Sequence, residues 1–111
     1  ILKKTNLSGA NLQEANLSES DFIGANLTGV NLMEVELLNT DFSDANLTDA
    51  KLIGVELNKS YLTGACLIGA DLTMANLSDA LFEDINLTNN NLTQATCQAL
   101  TYQERIYLEQ S

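Results

Sequence analysis

A chain of 111 residues with 45% apolar side chains has the length and composition of one domain with a core of its own. Fifteen Asp and Glu against five Lys and Arg give a net charge of −10, which repels phosphate and anionic lipid and so argues against nucleic acid or a membrane as a direct partner. The chain contains no His, Trp or Pro, and no apolar run approaches the roughly 20 residues of a membrane span.

In chain order, one element repeats. From Leu2 onward every fifth residue is large and apolar through twenty positions: sixteen Leu, with Phe22, Phe42, Phe82 and Cys97 as the others. Two residues before each centre from Leu7 stands a mostly small residue: ten Ala, Val at 30, 35 and 55, and Ser, Thr, Ile85 or Asn90 elsewhere. The residue between is Asn nine times and Asp three times in nineteen, as in Ala10-Asn11-Leu12 and Ala70-Asp71-Leu72. On an α-helix a step of five turns each Leu by about 140° and leaves no apolar face. On a flat strand an odd period sends alternate Leu to opposite sides. The pattern works if each pentapeptide is one side of a coil, with the centre and the small residue pointing inward and a corner following. Such a β-solenoid pairs its backbone with the coils above and below at about 4.8 Å.

The number of sides follows from the Phe positions. Phe22, Phe42 and Phe82 are separated by 20 and 40 residues, so a four-sided coil of 20 residues puts them in one column. Ser20, Thr40 and Ser60 then stack together, as do Asp21 and Asp41, and Asn6, Asn26, Asn46 and Asn86 form a candidate side-chain amide ladder interrupted only by Cys66. All six Gly, at 9, 24, 29, 54, 64 and 69, fall two residues after a centre, a slot shared with Asn39, Asp44, Asp49, Asp79, Asp84 and Asn89. Those types suit a corner with positive φ or an Asx-type turn. The lack of Pro fits sides that all need their N–H groups.

After Cys97 the period stops. Thr101 and Glu104 form an S/T-x-x-E capping box, which predicts a short helix over the last dozen residues. Its Tyr102, Ile106 and Leu108 either cover the last coil as a lid or make an end-to-end homodimer contact. The expected organisation is a solenoid over 1–99 and a helical cap over 100–111, with no matching cap at Ile1. The chain opens without Met or a secretory leader, so a cytoplasmic protein is expected, with room for a targeting segment ahead of Ile1.

On these residues the sequence resembles the pentapeptide-repeat family, whose repeat is A(D/N)LXX, over about residues 1–99. The resemblance implies an all-β, right-handed quadrilateral β-helix: four pentapeptides per coil, about five coils, and a C-terminal helix. Departures are Val30, Val35, Val55 and Ile85 in the small slot, and Lys51, Tyr61, Cys66 and Leu81 in the Asn/Asp slot. Short members of the family, common in cyanobacteria and other bacteria, imply a non-enzymatic scaffold or interaction module with an unidentified protein partner. Gyrase-protecting members, acidic rods that imitate B-DNA and dimerise through C-terminal helices, imply the alternative of a topoisomerase-binding DNA mimic.

Without His, no Ser–His or Cys–His dyad and no imidazole zinc site can be built, so no catalytic, metal or cofactor residue is assigned. Cys66 faces outward and Cys97 inward on a different side, which disfavours a disulfide. Seven of the eight N-x-S/T sequons are N-L-S/T products of the repeat itself. The candidate site is electrostatic. Asp21, Asp41, Asp44, Glu83 and Asp84 fall on the Phe side, and Glu19, Glu36, Glu56 and Asp79 on the side before it. These two acidic faces read either as a strip for a basic partner or as solubility and edge protection for a β-rich rod. Outward Met33, Ile53 and Met74 read as a contact patch or as scatter.

Overall fold

A computed structural model describes residues 2–81 together with Glu83, Ile85 and Asn91. Its backbone is a stack of coils in strict register. All twelve isolated parallel bridges join residues 20 apart, among them Asn6–Asn26, Asp21–Asp41, Glu36–Glu56 and Tyr61–Leu81. Each coil therefore has four pentapeptide sides, as the Phe spacing predicts. We name the sides by their centres: the Phe side (centres 2, 22, 42 and 62), the Asn side (7, 27, 47 and 67), the Met side (12, 32, 52 and 72) and the Glu side (17, 37, 57 and 77).

The hydrogen bonds explain why five residues close one side. A centre donates upward, as in Leu7 N to Asn26 O at 2.8 Å, and the residue before the next centre donates downward, as in Asn26 N to Thr5 O at 2.9 Å. Both directions are used on every side, so each coil is tied to two neighbours. The corner is a four-residue turn closed by a bond such as Ala10 N to Leu7 O at 3.0 Å. Its third residue has positive φ at all sixteen corners from Lys4 to Met74 and Asp79, with values between 55° and 73°, the signature of a type II turn.

Only six of those corners are Gly; Glu14, Glu19, Glu34, Lys4, Lys59 and Met74 are among the ten that are not. An L-residue there costs about 1–2 kcal/mol, and the regular ladder around each corner imposes that conformation. Gly64 and Gly69 have a further reason to lack a side chain. A Cβ on either would overlap the Oδ1 of Asp44 or Asp49, one coil earlier. Gly64→Ala is expected to destabilise by about 1–2 kcal/mol, because the corner strain and the displaced Asp44 carboxylate add. Met74→Gly, at an open corner, is expected to be neutral or slightly stabilising; urea unfolding midpoints check both.

The inward column is sealed. Centres from Phe22 to Leu77 and small residues from Ala25 to Ala80 are at most 2% exposed. Leu2, Leu7, Ala10, Leu12 and Leu17 are only partly buried, since in the structure they pack against a neighbouring coil on one side only. Phe22 and Phe42 stack face to face, centroids 5.1 Å apart and planes inclined by 3°. Thr40 and Ser60, fully buried in small slots, satisfy their hydroxyls by donating to Leu17 O at 3.2 Å and Leu57 O at 2.7 Å. The molecule measures 33 × 22 × 20 Å. Phe82, Asp84, Asn86, Cys97 and the predicted cap with Tyr102, Ile106 and Leu108 lie outside the described residues.

Candidate interaction surface

With the core closed, chemistry is left to the outward slots on either side of each centre and to the corners. The slot before the centre has a structural duty that the sequence reading placed elsewhere. In nine sides its Asn or Asp Oδ1 accepts the N–H two residues on, for instance Asn11 from Gln13 at 3.1 Å and Asp41 from Ser43 at 2.9 Å. This is an Asx turn, and it uses the one backbone N–H of the side that is taken up neither by the ladder nor by the corner bond. The Asx turn thus belongs to this slot, while the corner Asp and Asn residues provide positive φ.

The same turn accounts for two neighbouring features. The expected amide ladder of Asn6, Asn26 and Asn46 is instead a column of Asx turns, each Oδ1 directed at its own backbone. The N-L-T sequons are part of the same motif, since Thr28 and Thr48 donate from Oγ1 to Asn26 and Asn46 Oδ1 at 2.8 and 2.6 Å. Cys66, in the same column, is half-buried on the outer side, its Sγ 3.4 Å from Thr48 Oγ1.

The acidic candidates divide by role. On the Phe side, Asp21 and Asp41 stack one coil apart, but each spends Oδ1 on its turn, to Ile23 N at 3.0 Å and Ser43 N at 2.9 Å. Asp21 is further neutralised by Lys3, Nζ to Oδ2 at 3.5 Å, the one ion pair among the described residues. Asp44 covers Gly64 at a corner, and Glu83 is exposed. On the Glu side, Glu36 and Glu56 stack one coil apart, and Glu19 and Asp79 are exposed at corners of the same side. Glu36 and Glu56 stand where the repeat prefers Asn or Asp, and their longer side chains are directed outward instead of into a turn. Asn76 Nδ2 donates to Glu56 Oε2 at 3.1 Å and holds that carboxylate in place.

Sequence reasoning missed a groove on the Glu side, lined by Glu36, Leu38, Asn39, Glu56, Asn58 and Lys59. Leu38 is 38% exposed there, and the Oδ1 of Asn58 is buried without a hydrogen-bond partner. The available signal was the pair Glu36-Leu37-Leu38 and Glu56-Leu57-Asn58 in equivalent places of adjacent coils. Met33 and Ile53 are half-buried and Met74 is 54% exposed at a corner, so the expected Met-side stripe is mostly covered. Among the described residues no group of three or more His, Cys, Asp or Glu could hold a metal ion, and no helix is long and apolar enough to cross a membrane.

Comparison with known proteins agrees with this geometry. The sequence model for pentapeptide repeats matches eight copies, over residues 1–37, 40–79 and 70–99. Among curated proteins none matches the chain in sequence. Of solved structures, a pentapeptide repeat protein of the Arabidopsis thaliana thylakoid lumen is 30% identical with a TM-score of 0.75, over 96% of this chain and 72% of the other. Rfr23 from the cyanobacterium Cyanothece 51142 is 28% identical with a TM-score of 0.41, over 79% of this chain and 64% of the other. QnrB1, a plasmid-mediated fluoroquinolone resistance protein, is 19% identical with a TM-score of 0.50, over 96% and 70%, a likeness of fold. With its 20-residue register, its inward Leu column and its Asx turns all accounted for by one repeat, the chain belongs to the pentapeptide repeat family.

Proposed function

We propose that the protein is a non-enzymatic scaffold that binds a protein partner through the acidic sides of a right-handed solenoid of about five coils, capped by a C-terminal helix. The observation that carries this reading is the division of labour in the outward slots: nine Asn and Asp of the repeat are absorbed into turns, whereas Glu36 and Glu56 stack on adjacent coils outside such turns, with the Glu56 carboxylate held by Asn76. Among the described residues the core is sealed and the groove beside Glu36 and Glu56 is open to solvent, which favours recognition over catalysis. The test is capture by the immobilised chain at low and high salt. Retention of basic proteins that falls steeply with salt supports the reading, and salt-independent or absent retention counts against it.

The alternative, an acidic B-DNA mimic that binds a type II topoisomerase, draws on the elongated shape and the negative charge. Charge density ranks it second. A duplex carries one negative charge per about 1.7 Å of axis, hence about 19 over this molecule's 33 Å, against a net −10 here. The isolated chain is therefore expected neither to inhibit gyrase supercoiling nor to protect the enzyme from quinolones at micromolar concentration. Light scattering on the same sample reports whether a dimer through Tyr102, Ile106 and Leu108 has doubled the rod. Salt-sensitive inhibition, lost on neutralising Asp21, Glu36, Asp41 and Glu56, would reverse the ranking.

A further inference from the structure

The groove on the Glu side has a chemistry more specific than negative charge. Glu36 and Glu56 lie one above the other across a parallel bridge, and Asn76 Nδ2 orients the Glu56 carboxylate from the next coil. Leu38 supplies an exposed apolar wall on the same groove. Asn58 also contributes to the lining. Lys59 lines the groove without forming an ion pair to either Glu. The site thus gathers two carboxylates, one apolar surface and one cation, Lys59.

The complementary group has several N–H donors, a positive charge and an apolar stem. Lysine ammonium is a compact, strongly hydrated charge with three donors. Guanidinium spreads five donors over a planar fork, pairs with carboxylates in bidentate fashion and is more weakly hydrated. Its methylene stem can lie along an exposed Leu. We propose that this groove is the docking site for an arginine side chain of the protein partner, the guanidinium engaging Glu36 and Glu56 and the stem packing on Leu38. The inference rests on the interaction-module reading and gives the chemistry of its partner. Lys59, a like charge in the same lining, repels the incoming guanidinium and lowers the affinity.

The test uses the full chain and three capped peptides, acetyl-Ser-Arg-Ser-amide and its lysine and citrulline counterparts, followed by amide NMR shifts at low ionic strength. Shifts from the arginine peptide are expected to cluster at residues 36–39 and 56–59. The lysine peptide should bind about threefold more weakly, and the uncharged citrulline peptide should lose binding. Glu36→Gln and Glu56→Gln should each weaken the arginine peptide about fivefold, and Lys59→Gln should strengthen it about twofold. The double variant Asp49→Asn/Asp71→Asn changes net charge as much as both Glu substitutions together but lies on the other sides, and should leave affinity within about twofold. Shifts spread over all acidic corners, equal affinity for arginine and lysine, or equal loss in the Asp49/Asp71 variant would overturn the proposal. Salt-sensitive protein capture that survives Glu36→Gln/Glu56→Gln would overturn the groove while leaving the interaction module intact. Failure of capture with the peptide pattern as expected would do the reverse.

Discussion

Leu47→Asp is expected to leave the protein unfolded at room temperature, with loss of the β circular dichroism signal. Leu47 is 1% exposed and sits between Leu27 and Leu67 in a column with no polar group to receive a charge. A carboxylate there must either lose its hydration unpaired or become protonated, and either outcome costs several kcal/mol. That is comparable to the 5–15 kcal/mol total stability of an ordinary domain. The architecture enlarges the effect. In a stack where each coil contacts only its neighbours, a defect in the middle separates the coils on either side and removes their shared interface. The control is Thr48→Asp, one residue away and facing outward. It removes the Thr48 to Asn46 hydroxyl bond of 2.6 Å, and is expected to cost about 1 kcal/mol or less. A folded Leu47→Asp protein with an unchanged urea midpoint would mean that the column is not the core.

Phe42→Ala is expected to destabilise by about 3–5 kcal/mol. The ring is fully buried and lies at 5.1 Å from Phe22, nearly parallel to it. Truncation opens a cavity between two coils whose backbones, held by ladder bonds on all four sides, cannot collapse to fill it. Phe42→Leu restores the usual resident of the column, as at Leu62 one coil on, and should cost only about 1–1.5 kcal/mol. Because the two rings touch, Phe22→Leu combined with Phe42→Leu should cost less than the sum of the singles, by about 0.5 kcal/mol or more. Strict additivity in urea unfolding would show that the stack contributes area and nothing further.

Period, side count and the identity of the inward residues could all be read from the amino acids alone, because each depends on a pattern repeated every five residues with no insertion. The Phe spacing of 20 and 40 sufficed for a square section, since aromatic rings need matching space in the next coil. The stacking of Asp21 on Asp41 and of Glu36 on Glu56 was legible for the same reason, a coil of constant length placing residues 20 apart in one column. Three features were decided only by the tertiary structure. The Asx turn was misplaced because Asn and Asp suit both a positive-φ corner and a turn acceptor, and only the ladder shows which N–H groups remain unpaired. Positive φ at Glu34, Lys59 and Met74 contradicts their local preference and is imposed by the bonds of neighbouring coils. The groove depends on how Leu38, Asn58 and Lys59 lean around two stacked carboxylates, and side chains of outward slots, unlike those of the core, are not confined by the repeat that built them.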